Sequence, residues 1–135
     1  MLAKQKIFMT LIWGALLGFI SVAFGAYAEH GLRETLTNEH FSSVMTAVRY
    51  NQLNAVMITA IGLVLVNGGK LSNTSALKWS GVLFILGTLL FSFSIYFSVL
   101  FDIPSLVNLA PIGGFTIMAA WLMLLIVGVL SKKKL

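Results

Sequence analysis

Residues 7–28 read IFMTLIWGALLGFISVAFGAYA, with no charged side chain among them. As an α-helix rising 1.5 Å per residue, the stretch is about 33 Å long, enough to cross a hydrocarbon core of about 30 Å. It also imitates a secretory leader: Lys4 and Lys6 precede it, and Ala26-Tyr27-Ala28 before Glu29 looks like a small-residue cleavage site. The apolar run 7–24 is longer, however, than the roughly 7–15 residues of a leader's apolar region. The stretch therefore reads as a membrane helix. Further apolar stretches follow at about 50–67, 76–101 and 111–130. Together the four predict an all-α fold: one transmembrane domain over 1–135, an integral membrane four-helix bundle running up-down-up-down.

Composition agrees with that reading. The chain is 59% hydrophobic and 10% charged, whereas a soluble domain carries about 25% charged residues. Its mean hydropathy is +0.97. So few charges cannot coat a water-facing surface, and lipid must be the solvent. There is no cysteine, which excludes disulfides, thiol catalysis and thiolate metal sites. A net charge of +5 would suit a nucleic-acid binder, but the basic residues stand at helix ends instead of on a folded polar face. No nucleic-acid partner is expected.

The charges divide by loop. Lys4 and Lys6 precede the first stretch, Lys70 and Lys78 flank the middle loop, and Lys132, Lys133 and Lys134 follow the last stretch. Glu29, Glu34, Glu39 and Asp102 fall in the two other loops. Short Lys-rich loops stay cytoplasmic, so both termini are expected inside a bacterial inner membrane. The last Lys run should attract anionic lipid by roughly 1 kcal/mol per charge.

Local signals refine the helices. In helix 1, Gly14, Gly18, Ser21 and Gly25 share one stripe, and Gly14 with Gly18 forms a GxxxG pair suited to close helix packing, within the chain or between copies. Gly31 is expected to stop this helix. Thr37 can cap a helix beginning at Asn38, in which Phe41, Val44, Met45 and Val48 share a face opposite Glu39, Ser42, Ser43 and Thr46. This predicts an amphipathic segment on the outer surface before helix 2. Helix 2 itself is the weakest crossing, since Tyr50, Asn51, Gln52 and Asn54 must face protein, water or headgroups. Asn67-Gly68-Gly69 ends it with turn chemistry. Helix 4 is expected to start near Pro111.

Several stretches, taken in order, resemble the YgdD-like family of small bacterial inner-membrane proteins, a domain of unknown function with animal relatives. They are Gly25-Ala26-Tyr27-Ala28-Glu29-His30-Gly31-Leu32, then Thr46-Ala47-Val48-Arg49-Tyr50, then Leu90-Phe91-Ser92-Phe93-Ser94-Ile95-Tyr96, and Pro111-Ile112-Gly113-Gly114 with Trp121. The resemblance covers nearly the whole chain and implies a four-helix inner-membrane protein without an established biochemical role. The chain departs from the family pattern by carrying Ala28-Glu29 before His30, by Asn54 where the family usually has His, and by Ala110 where it often has Thr. Asn54 argues against a His-pair metal or proton site, and Ala110 removes a helix cap.

Three groups of residues are candidates for chemistry. Tyr50, Asn51, Gln52, Asn54, Ser92, Ser94 and Tyr96 fall at similar depth on helices 2 and 3 and form a candidate polar site, either as interhelical hydrogen bonds or as a small outward-facing cavity. Arg49 enters the membrane with helix 2 and is a candidate ion-pair partner of Asp102 or Glu29, since Asp102 lies where a helix C-terminus disfavours a carboxylate. His30 and His40, with Glu29, Glu34 and Glu39, are too few in fixed geometry for an expected metal site. No catalytic set, phosphate loop or zinc motif is present. The leading reading is a non-enzymatic structural or accessory protein without cofactor or metal. Membrane lipids are its partners, and helix 1 is the candidate interface of a homo-oligomer. The alternative is a small-solute or ion transporter or channel built on the polar cluster. A lipid or metal sensor using the outer loop is a weaker third reading.

Overall fold

A computed structural model describes residues 2–133, with side chains from residue 5 onward. Lys134 of the C-terminal basic run and the side chain of Lys4 lie outside the described residues. All regular structure among the described residues is helical. Four spans are long and apolar enough to cross a membrane: Gln5–Leu32, Asn38–Asn67, Ser75–Leu100 and Pro104–Lys132.

The first span is α1 (Leu2–Tyr27) continued by one π turn, Ala28–Leu32. Gly31 does not stop it. The backbone stays right-handed to Arg33, and positive φ among glycines occurs only at Gly68 and Gly69. The expected boundary near residue 28 is therefore about one turn short. The cause is physical: glycine permits the left-handed turn of a helix end but does not require it, and here the backbone continues right-handed through the π turn.

The second span is one unbroken helix, α2 (Asn38–Asn67). Thr37 caps it as expected, its hydroxyl accepting from the His40 backbone N–H at 3.2 Å. The amphipathic segment and helix 2 are thus a single element about 45 Å long. The apolar face of that segment packs on protein: Val44 and Ala47 are fully buried, and Phe41 and Met45 pack against the same cluster. At the other end the chain turns at Gly68 and Gly69, whose φ values of 81° and 99° suit residues without a Cβ.

The third span is α3 (Ser75–Thr88), a π turn at Leu89–Phe93, and α4 (Ser94–Leu100). Asp102 follows in the left-handed region, with φ 52°, and the Ile103 N–H returns to the Ser98 carbonyl at 3.0 Å. The fourth span opens with a 3₁₀ stretch, Pro104–Leu109, and becomes α5 (Ala110–Lys132).

Glycines set how closely the helices pack. A Cβ on Gly14 would lie 2.6 Å from the Thr59 backbone N, and one on Gly62 would lie 2.7 Å from the Leu11 Cα. The numbering runs in opposite senses, so α1 and α2 are antiparallel, and the GxxxG stripe is engaged within the chain. The third and fourth spans meet the same way: a Cβ on Gly87 would come within 3.0 Å of the Ile117 N, and one on Gly113 would strike the Leu90–Phe91 backbone. Between the same two spans, the Ser80 hydroxyl donates to the Ala120 carbonyl at 3.1 Å. Two apolar clusters fill the interior. One centres on Leu17, Ile58 and Phe84, the other on Ala28, Val44, Ala47 and Tyr96.

Gly14→Val should lower the thermal midpoint in detergent, by an overpacking cost of roughly 1–3 kcal/mol. Gly128→Ala, whose added Cβ meets open space, should leave the midpoint unchanged or raise it. Asp102→Gly should stabilise by roughly 0.5–1 kcal/mol, since it relieves a left-handed non-glycine residue and a carboxylate at a helix C-terminus. Melting curves followed by circular dichroism check all three.

Candidate functional site

The amide of Asn51 lies at the centre of the candidate polar site. Asn51 and Asn54 project from the buried face of α2 and are fully buried. The Asn51 Nδ2 donates to the Tyr96 hydroxyl at 3.1 Å, which ties the second span to the third. One turn away, the Ser92 hydroxyl donates to the Ala47 carbonyl at 2.7 Å across the same interface. Tyr96 is also stacked on Phe24 of α1, with ring centroids 4.0 Å apart. Three helices therefore converge on one phenol.

The other expected members separate from this centre. Ser94 is buried, but its hydroxyl donates to Phe91 within the π turn at 2.9 Å. Tyr50 is 41% exposed, with its ring edge-on to Phe91 at 5.1 Å, and Gln52 is exposed on the other flank. Consecutive helical residues differ by about 100°, so 50, 51 and 52 cannot share one face. The seven residues are thus a buried core of Asn51, Asn54, Ser92 and Tyr96, with Ser94 turned back on its own span and Tyr50 and Gln52 on outward flanks.

That core is not fully satisfied. Asn51 Oδ1 and both side-chain polar atoms of Asn54 have no hydrogen-bond partner within the protein. An amide without a partner in a hydrocarbon-like interior costs several kcal/mol.

The expected ion pairs of Arg49 are replaced by another. Among the described residues the one salt bridge joins Arg33 Nη1 to Glu29 Oε2 at 2.9 Å, one helical turn apart. Arg33 also lies over the Phe41 ring at 5.5 Å and so ties the end of the first span to the start of α2. Sequence reasoning passed over Arg33 because the helix was taken to end before it. Continuing the helix through Gly31 would have exposed the i, i+4 spacing of Glu29 and Arg33. Arg49 and Glu29 do line one cavity, with His30 and Gln52, but without an ion pair within 4.0 Å. Asp102 lines a different cavity of about 490 Å³, with Glu39, His40 and Asn108. Among the described residues no group of three or more His, Asp or Glu side chains is placed to hold a metal ion.

The four motifs read in the sequence meet around this centre. Val48 lies 3.1 Å from where a Gly25 Cβ would stand, Ser92 bonds Ala47, and Gly113 abuts Leu90 and Phe91. Four apolar spans enclosing buried amides and hydroxyls define a multi-pass membrane protein. The family described as a protein of unknown function, DUF423, matches residues 24–114. The UPF0382 membrane protein SH2409 of Staphylococcus haemolyticus is 37% identical, across 90% of this chain and 94% of its own. The UPF0382 inner membrane protein YgdD of Escherichia coli strain K12 is 32% identical, across 92% of each chain. The chain belongs to this family. No solved structure matches it. None of these names states an activity.

Tyr96→Phe should destabilise the protein more than Ser92→Ala. The first strands the remaining donor of an already under-bonded Asn51, at roughly 1–3 kcal/mol. The second removes one interhelical bond of a kind averaging about 0.6 kcal/mol. Comparing thermal midpoints in one detergent tests this order.

Proposed function

We propose that the protein is a non-enzymatic structural or accessory component of the bacterial inner membrane. It is threaded up-down-up-down, with both termini and the loop carrying Lys70 and Lys78 in the cytoplasm. The burial of Asn51 and Tyr96 carries this reading. The best-placed polar residues are spent on joining helices, and the flanking Tyr50 and Gln52 do not converge with them on an open site. The positions of Lys6, Lys70, Lys78, Lys132 and Lys133 support the orientation, because all lie at one end of the antiparallel helices.

A second reading, passage of a small polar solute or ion, is favoured by one observation: the three unpaired amide atoms of Asn51 and Asn54. Purified protein in liposomes separates the two. As a structural component it should pass neither K⁺ nor protons above empty vesicles, and Asn54→Leu should raise its thermal midpoint by removing an unbonded amide. Flux that disappears in Asn54→Leu would establish the second reading. For orientation, alkaline phosphatase fused after Leu135 should be inactive and a fluorescent protein there should fluoresce. An active phosphatase would reverse the threading.

A further inference from the structure

We propose that the groove between α1 and α2 is a binding site for one anionic phospholipid, in the leaflet on the side of the α1–α2 loop. Two cavities, of about 430 Å³ and about 360 Å³, follow one another along the groove, with Val22 and Gln52 lining both, and together make a trough. Its inner end is closed where Gly14 meets Thr59. Beyond it the contact loosens: at Gly18 the nearest neighbour of an added Cβ is the Ala55 Cβ, at 3.7 Å, before Val48 approaches Gly25 to 3.1 Å further along. Small residues make the floor, and Phe19 and Val56 make apolar walls exposed toward lipid.

The outer end has a different chemistry. Arg49, His30 and Gln52 line it beside Glu29. Glu29 is held by Arg33 at 2.9 Å, while Arg49 makes no ion pair within 4.0 Å among the described residues. Arg33, Glu29 and Arg49 together leave one net positive charge at the mouth. A guanidinium presents a planar fork that suits a phosphate.

Length selects a lipid over a smaller anion. From Arg49 to Thr59 the helix rises about 15 Å, which is half of a hydrocarbon core of about 30 Å. The trough therefore runs from headgroup level to the bilayer midplane, the depth of one acyl chain. A cationic mouth joined to an apolar trough one leaflet deep is complementary to a phosphodiester carrying a fatty chain.

Native mass spectrometry of the purified full chain, with phosphatidylglycerol or phosphatidylcholine of identical chains, tests the site. The wild type should retain phosphatidylglycerol with about tenfold preference, because both headgroups offer the phosphodiester but only phosphatidylcholine brings a second cation against Arg49. Arg49→Gln should abolish the preference. Lys132→Gln with Lys133→Gln should keep it, which separates the groove from general attraction at the basic end. Ala15→Phe, an exposed position that fills the apolar trough, should weaken retention of both lipids. Equal retention of the two lipids by the wild type, or a preference that survives Arg49→Gln, overturns the proposal. So does a wild-type dimer that Ala15→Phe converts to monomer, because the groove would then belong to a second copy of the chain.

Discussion

Inside hydrocarbon no hydrophobic effect presses helices together, so this bundle depends on backbones coming close enough for dispersion and short hydrogen bonds to act. Glycine is what permits it. Gly14 and Gly62 let α1 and α2 meet backbone to side-chain root, and Gly87 and Gly113 do the same for the third and fourth spans. The interhelical hydroxyl bonds follow from that proximity. Ser92 can reach the Ala47 carbonyl, and Ser80 the Ala120 carbonyl, only because nothing larger holds the helices apart. Residues with long side chains, such as Phe19, Phe115 and Leu122, are accordingly turned outward.

Much of this was legible from residue order. Apolar length located the first, third and fourth spans, Thr37 announced the start of α2, and the Gly68-Gly69 pair marked its end. Three features were not legible, each for a physical reason. Gly31 is a helix terminator in water but not in a π turn packed beside Tyr27, so the first span was cut short and the Glu29–Arg33 pair was missed. The amphipathic segment looked like a surface helix because its polar face is obvious. That its apolar face is covered by protein depends on distant residues such as Ile95 and Ala110. Depth and the one-turn spacings of Tyr50 with Asn54 and Ser92 with Tyr96 define the polar cluster, and neither distinguishes Asn51, on the inner face, from Tyr50 and Gln52 on either side.

The motifs read in the sequence are scattered over residues 25–121; those of the first three spans pack in one cluster with Tyr96, whereas Trp121 packs edge-on to Phe84. The phenol accepts from Asn51 and stacks on Phe24, and the strand of contacts continues through Ser92 to Ala47 and through Phe91 to Gly113. A single aromatic ring thus joins the first three spans.

The placement of Asn51 and Asn54 bears on how the bundle comes together during synthesis. Of the four spans, α2 is the least apolar, and both amides lie on the face that α1 and the third span cover. Released alone into the bilayer, that face would meet acyl chains. A solitary α2 is thus the least favourable intermediate, and the translocon has reason to hand it over already paired with α1 as a helical hairpin. The third span, which brings the phenol, then closes over it.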